Sequence, residues 1–154
     1  MLRPGDKAPE FQLPTLAGKL SSLASFRDRG PVLVAFFKVS CPVCQYTFPF
    51  LERIAASGRI PVIGVSQDDA ADTQDFADAH GLNFPMLIDG IASGYAVSAW
   101  YRITNVPTIF LVEQEGTISA AWTGFSRRDL EELGHRIAVS PFREGEKIPE
   151  FTPG

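Results

Sequence analysis

Apolar positions along this chain fall into two rhythms, one of strands and one of helices. Pro31-Val32-Leu33-Val34-Ala35-Phe36-Phe37 is an unbroken apolar run rich in β-branched and aromatic residues, the pattern of a strand buried on both faces. Ile60-Pro61-Val62-Ile63-Gly64-Val65 and Thr108-Ile109-Phe110-Leu111-Val112 predict two more. Between the first two, Tyr46, Phe50, Leu51 and Ile54 recur at helical spacing. Pro42 suits the first turn of that helix, Pro49 should kink it, and Gly58 ends it. Asp68 and Asp69 are candidate caps for a following helix, with Phe76 and Ala79 on its inner face and Gly81 at its end. Phe84 to Ile88 predicts a short extended piece, and Ile91 to Trp100 another short helix. After a turn at Glu113-Gln114-Glu115-Gly116, Thr117 to Trp122 returns antiparallel. Ser126 with Asp129 resembles a capping box, and Leu130, Leu133 and Ile137 line the last helix. Ahead of all this, Phe11-Gln12-Leu13 and Leu20-Ser21-Ser22-Leu23 predict a hairpin around Ala17-Gly18. The central order is β-α-β-α-α-β-β-α, an α/β layered domain.

A length of 154 residues with 45% hydrophobic content suits one domain with a sizeable core. The reading is a domain over 1–140 and an extended tail over 141–154, where the chain turns polar and carries two prolines before its last three residues. Within the tail, Gly145-Glu146-Lys147-Ile148-Pro149-Glu150-Phe151 nearly repeats Gly5-Asp6-Lys7-Ala8-Pro9-Glu10-Phe11, too briefly for a repeat architecture. A net charge of −4 gives no electrostatic reason to expect nucleic acid as a partner. No apolar run is long enough to span a membrane, and Met1 to Lys7 lacks the apolar stretch of a signal peptide, so the chain as it stands reads as cytoplasmic, with the periplasm as the alternative if a signal has been removed.

The chemistry concentrates in the only two cysteines, Cys41-Pro42-Val43-Cys44. A link this short constrains the unfolded chain little, so its value is chemical rather than structural. The pair sits where a buried strand ends and a helix begins. Free N–H groups and the helix dipole there stabilise a thiolate, lowering a thiol pKa from about 8.5. Cys41, at the helix mouth, is the expected nucleophile, and Cys44, one turn inside, the resolving thiol. Zinc would need four ligands, and the histidines, His80 and His135, lie far off in sequence. No metal and no separate cofactor are expected beyond the Cys41–Cys44 pair itself.

The run Val32 to Cys44 resembles the active-site strand and helix start of thioredoxin-like proteins, with Pro49 at that family's spacing of five after the second cysteine. Asn105-Val106-Pro107-Thr108 resembles its cis-proline element. Gly5 to Phe11 and the stretch through Gly81-Leu82-Asn83-Phe84-Pro85 resemble the TlpA/ResA-type oxidoreductases of the AhpC/TSA-like group. The resemblance covers residues 5–138 and implies a thioredoxin fold with an N-terminal β-hairpin extension, a central insert and a mixed sheet flanked by helices. It implies a thiol–disulfide oxidoreductase, with a protein disulfide as substrate and another thiol as reductant. Pro107 would present the Val106 backbone to a substrate peptide, beside Pro42 and Val43 of the dithiol loop.

Two departures stand out. Ser40 replaces the tryptophan that usually precedes the first cysteine, and Ala35 falls where many thioredoxins keep a buried acid. Asp68 matches the acid that the ResA-type branch carries at its insert, so it is expected to assist deprotonation of Cys44, with a surface helix cap as the competing role. Lys38 points to solvent or lowers the Cys41 pKa. Two other functions compete. A peroxiredoxin is one, with Arg102 in place of that family's arginine, but Lys38 stands where a Thr or Ser would orient peroxide. A non-catalytic redox-sensing module is the other.

Overall fold

The computed structural model describes residues 1–154 in full. The chain opens with the hairpin β1 (Gln12–Pro14) and β2 (Leu20–Ser22), followed by a single-turn α1 (Leu23–Phe26) capped by Ser22. Then come β3 (Val32–Phe37), α2 (Pro42–Ala56), β4 (Val62–Ser66), α3 (Ala70–His80) and β5 (Met86–Ile88). A 3-10 turn (Ile91–Ser93) and α4 (Ala96–Trp100) lead to β6 (Thr108–Val112) and β7 (Ile118–Thr123). The chain closes with β8 (Phe125–Ser126), α5 (Arg127–Ile137) and β9 (Phe151–Thr152).

Five strands form the central sheet in the order β5-β4-β3-β6-β7. The β3–β4 and β4–β5 pairs are parallel, while β3–β6 and β6–β7 are antiparallel. This is the mixed α/β sheet of the thioredoxin fold. Every residue of β3 is buried, because helices or the hairpin cover both faces. Strand alternation divides its side chains. Leu33, Ala35 and Phe37 join α2, α3 and α5 through Phe48, Leu51, Phe76, Leu130 and Leu133. Val32, Val34 and Phe36 pack with Phe11, Leu13, Val97 and Tyr101 from the hairpin side and α4. Gly64 in β4 permits close packing over the sheet: a Cβ there would stand 2.6 Å from Met86 Sδ and 3.1 Å from Phe37.

Three local expectations need correction. Asp69 alone caps α3, accepting the Asp72 N–H, and Asp68 is engaged elsewhere. The inner face of α3 is Thr73, Phe76 and Ala77, while Ala79 is exposed, since 76 and 77 share one side of the helix and 79 lies a further half turn round. The segment Ile91 to Trp100 is not one helix. Gly94 and Tyr95 both adopt left-handed φ (63° and 56°) and divide it into the 3-10 turn and α4. The buried Asp89 directs this break: its carboxyl accepts from Ser93 Oγ, the Val97 and Ser98 N–H groups, and Ser98 Oγ. Pro49 lies within α2, which runs on past it to Ala56.

The near-repeat has a structural basis. In each copy an arginine carbonyl accepts the N–H three residues on, Asp6 to Arg3 and Glu146 to Arg143. The arginine N–H in turn donates to the acidic side chain of that residue, at 2.7 and 2.5 Å. Gly5 and Gly145 supply the positive φ (97° and 81°) that the third position of such a turn requires. The two copies are one turn motif used twice.

Candidate active site

The dithiol stands at the C-terminal end of β3. Cys41 is the N-cap of α2 and Pro42 opens its first turn, where a missing N–H costs nothing. The Cys44 N–H donates to Cys41 Sγ at 3.1 Å, so the sulfur takes the place of a capping oxygen. Cys41 is half-buried and Cys44 fully buried; both are free thiols. Burial, then the hydrogen bond with Cys41, pushes the Cys44 thiol well above its ordinary value.

Across from Cys41, the Val106–Pro107 peptide bond is cis. The Cys41 thiol donates to the Val106 carbonyl at 3.5 Å. Val106 is half-buried and Pro107 buried, and the Pro107 carbonyl accepts the Gly124 N–H at 2.8 Å. Of the dithiol loop, Pro42 is exposed and Val43 half-buried.

Asp68 enters the site from the end of β4. Its Oδ2 accepts the Val39 N–H at 2.8 Å, and its own N–H donates to Ser66 Oγ. Gln45 Nε2 donates to the Val39 carbonyl at 3.0 Å. The peptide groups on either side of Val39 are thus gripped, two residues before Cys41. Gln45 escaped the sequence reading because a polar residue one past a cysteine carries no motif. Lys38 is exposed, and its carbonyl accepts the Cys41 N–H at 3.2 Å. Trp100 is half-exposed, whereas Tyr101 is a core residue whose hydroxyl donates to the Pro9 carbonyl. Arg102 is exposed in the turn after α4. No group of three His, Cys, Asp or Glu side chains is close enough to hold a metal ion.

Structurally, then, Cys41, Cys44 and Val106 converge, Pro42, Val43 and Pro107 frame them, and Asp68 braces the approach to Cys41. The last strand was not legible: β9 pairs with β8, Phe125 opposite Thr152 and Ser126 opposite Phe151, and brings Gly154 against the Val106 carbonyl. Only long-range packing shows this, because a two-residue strand leaves no periodicity.

Residues 4–121 match the AhpC/TSA family. Among relatives, thiol-disulfide oxidoreductase ResA of Halalkalibacterium halodurans is 30% identical, over 80% of this chain and 70% of that protein. A Mycobacterium tuberculosis protein described as a peroxiredoxin is 36% identical, over 78% of this chain and 84% of its own. A solved Chlorobium tepidum structure described as a thiol:disulfide interchange protein DsbE superposes with a TM-score of 0.77 at 27% identity, covering 90% of this chain and 97% of that one.

Proposed function

From this chain's membership of the AhpC/TSA family, and as a thiol–disulfide oxidoreductase of thioredoxin fold, we propose that Cys41 attacks a disulfide in a protein substrate and that Cys44 completes the exchange. The Cys41 thiolate bonds to one substrate sulfur and displaces the other as a thiolate, which takes a proton. Cys44, once deprotonated, bonds to Cys41 Sγ and releases the first substrate sulfur. Two electrons and two protons pass to the substrate, and the Cys41–Cys44 disulfide remains. A second thiol protein or a small thiol returns it to the reduced state. The dithiol carries the electrons itself, so the reading invokes no cofactor.

One observation carries this assignment: the half-buried Cys41 sulfur receives the N–H of the buried Cys44 at the start of α2. The two thiols differ in access as an attacking and a resolving thiol should. Val106, with Pro42 and Val43, lines the place where a substrate strand would pair by its backbone. Asp68 serves as a positioning residue through Val39, and its carboxylate is our candidate acceptor for the Cys44 proton. No helix is long and apolar enough to cross a membrane. Compartment fixes direction: in a reducing compartment the pair would be kept reduced and act as a reductant.

The identity to the mycobacterial relative keeps a peroxidase reading alive. Both readings meet in one experiment, in which the reduced protein is followed by mass spectrometry with insulin or oxidised glutathione and, separately, with hydrogen peroxide. Fast exchange, with a mixed disulfide trapped on Cys41 in Cys44→Ser and slow peroxide consumption, supports the oxidoreductase. Rapid sulfenic acid formation with poor exchange makes the protein a peroxidase instead.

A further inference from the structure

Beside the dithiol, the edge that should receive a substrate strand is already taken by the chain's own last residues. Phe151 and Thr152 pair with Ser126 and Phe125, the Arg127 N–H donates to the Glu150 carbonyl at 3.0 Å, and the segment then passes Gly124 to reach Val106. Two glycines make the passage possible. A Cβ on Gly124 would collide with the Thr152 carbonyl, and a Cβ on Gly154 would stand 2.5 Å from the Val106 carbonyl oxygen. That same oxygen accepts the Cys41 thiol.

The segment is docked shallowly compared with its N-terminal twin. Phe11 is 3% exposed, whereas the equivalent Phe151 is 57% exposed. The Glu150 side chain is 86% exposed, and its ion pair with Arg127 is long at 3.4 Å. Upstream of the segment, a cleft of about 610 Å³ lined by Arg127, His135, Phe142 and Ile148 among others lies between α5 and residues 138–148. The firm attachment is upstream. Arg53 grips Glu146 through two hydrogen bonds of 2.7 and 2.8 Å and also donates to the Pro141 carbonyl. Phe142 packs on Phe50. The tail therefore has a fixed root and a lightly held tip, the mechanical layout of a strap.

We propose that residues 151–154 are an intramolecular strap that occupies the peptide-docking edge beside Cys41 and must lift before a protein disulfide can bind. The inference rests on the exchange reading above. With the strap down, Cys41 stays partly open to solvent, so a small disulfide reaches it while a folded or extended polypeptide does not. The strap acts as a filter on substrate size.

Two variants test it from opposite ends. Gly154→Val places a side chain where the Val106 carbonyl leaves no room, and Arg53→Met frees the root while keeping an aliphatic stem over Phe50. Reduction of insulin and of bis(2-hydroxyethyl) disulfide is measured for each. Expected is a rise in kcat/KM for insulin of about tenfold, the gain if roughly nine molecules in ten hold the strap closed, with the small disulfide unchanged. An unchanged ratio of the two rates in both variants overturns the strap while leaving the exchange reading intact. Failure of the parent protein to react with either disulfide removes both.

Discussion

Asp68 holds the Val39 N–H with its carboxylate at 2.8 Å, across 29 positions of chain. Gln45 holds the Val39 carbonyl from the opposite side. A charge from the end of β4 and an amide from α2 thereby fix the loop that delivers Cys41. Hydrogen bonds to charged groups contribute about 1.5–3 kcal/mol, so Asp68→Ala should lower unfolding stability by that order and slow exchange. Asp68→Asn keeps an acceptor for Val39 and should cost less. If the Asp68 carboxylate also accepts the Cys44 proton, the asparagine variant shifts the pH dependence of mixed-disulfide resolution. An unchanged profile leaves Asp68 a purely positioning residue.

Cys44 makes the stability of the reduced protein sensitive to alkali. Burial raises its thiol above the ordinary value of about 8.5–9. In the unfolded chain the thiol ionises near that value, while in the folded protein it stays protonated. The native state therefore binds the extra proton, and stability is full below about pH 9 and falls as pH rises beyond it. Tyr101, raised for the same reason, adds a similar loss above about pH 10. Oxidation removes the Cys44 proton but leaves Tyr101 untouched. Denaturant melts of reduced and oxidised protein between pH 7 and pH 10.5 should diverge above pH 9, and Cys44→Ser should abolish the divergence.

Phe48 joins the active-site helix to the sheet. Its ring lies 4.5 Å from that of Phe37 and contacts Phe76 and Phe84 as well, all without solvent exposure of its own. Truncation leaves a cavity between α2 and β3, the two elements that flank the dithiol. Phe48→Ala should cost about 3–5 kcal/mol, measured by urea unfolding.

Asp89 is fully buried and receives four hydrogen bonds from the segment that it folds. Asp89→Ala leaves the Val97 and Ser98 N–H groups without partners, and each unsatisfied group costs about 1–3 kcal/mol. The expected loss of roughly 3 kcal/mol or more should appear with local exchange of the α4 amides. Asp89→Asn, which retains an acceptor, should lose distinctly less.

Acid should loosen the tail root. The Arg53 guanidinium beside Glu146 holds that carboxyl down at about 2, from an ordinary 4.5. The folded protein thus favours the ionised form. Its contribution is full above about pH 4.5 and disappears as pH falls toward 2. NMR shifts of the Arg127 and Gly154 amides should change over that window. In Arg53→Met the change should shrink and move up toward pH 4.5, because the guanidinium that most depresses Glu146 is gone.

The apolar runs at 31–37, 60–65 and 108–112 and the helical spacing after Cys41 determined the central sheet and its main helix by themselves. A strand buried on both faces and a helix buried on one must show their periods in sequence. The Cys41–Cys44 spacing, set between such a strand and such a helix, likewise announced a dithiol at a helix mouth. Tertiary structure alone decided the rest. The side of Val39 to which Asp68 turns, the break that Asp89 imposes at Gly94–Tyr95, and the meeting of Gly154 with Val106 all join residues distant in sequence. Local propensity makes Asp68 and Asp69 equally good caps, and a two-residue strand has no period at all. Such choices are made when packing brings partners together from far along the chain, and no window of neighbouring residues contains them.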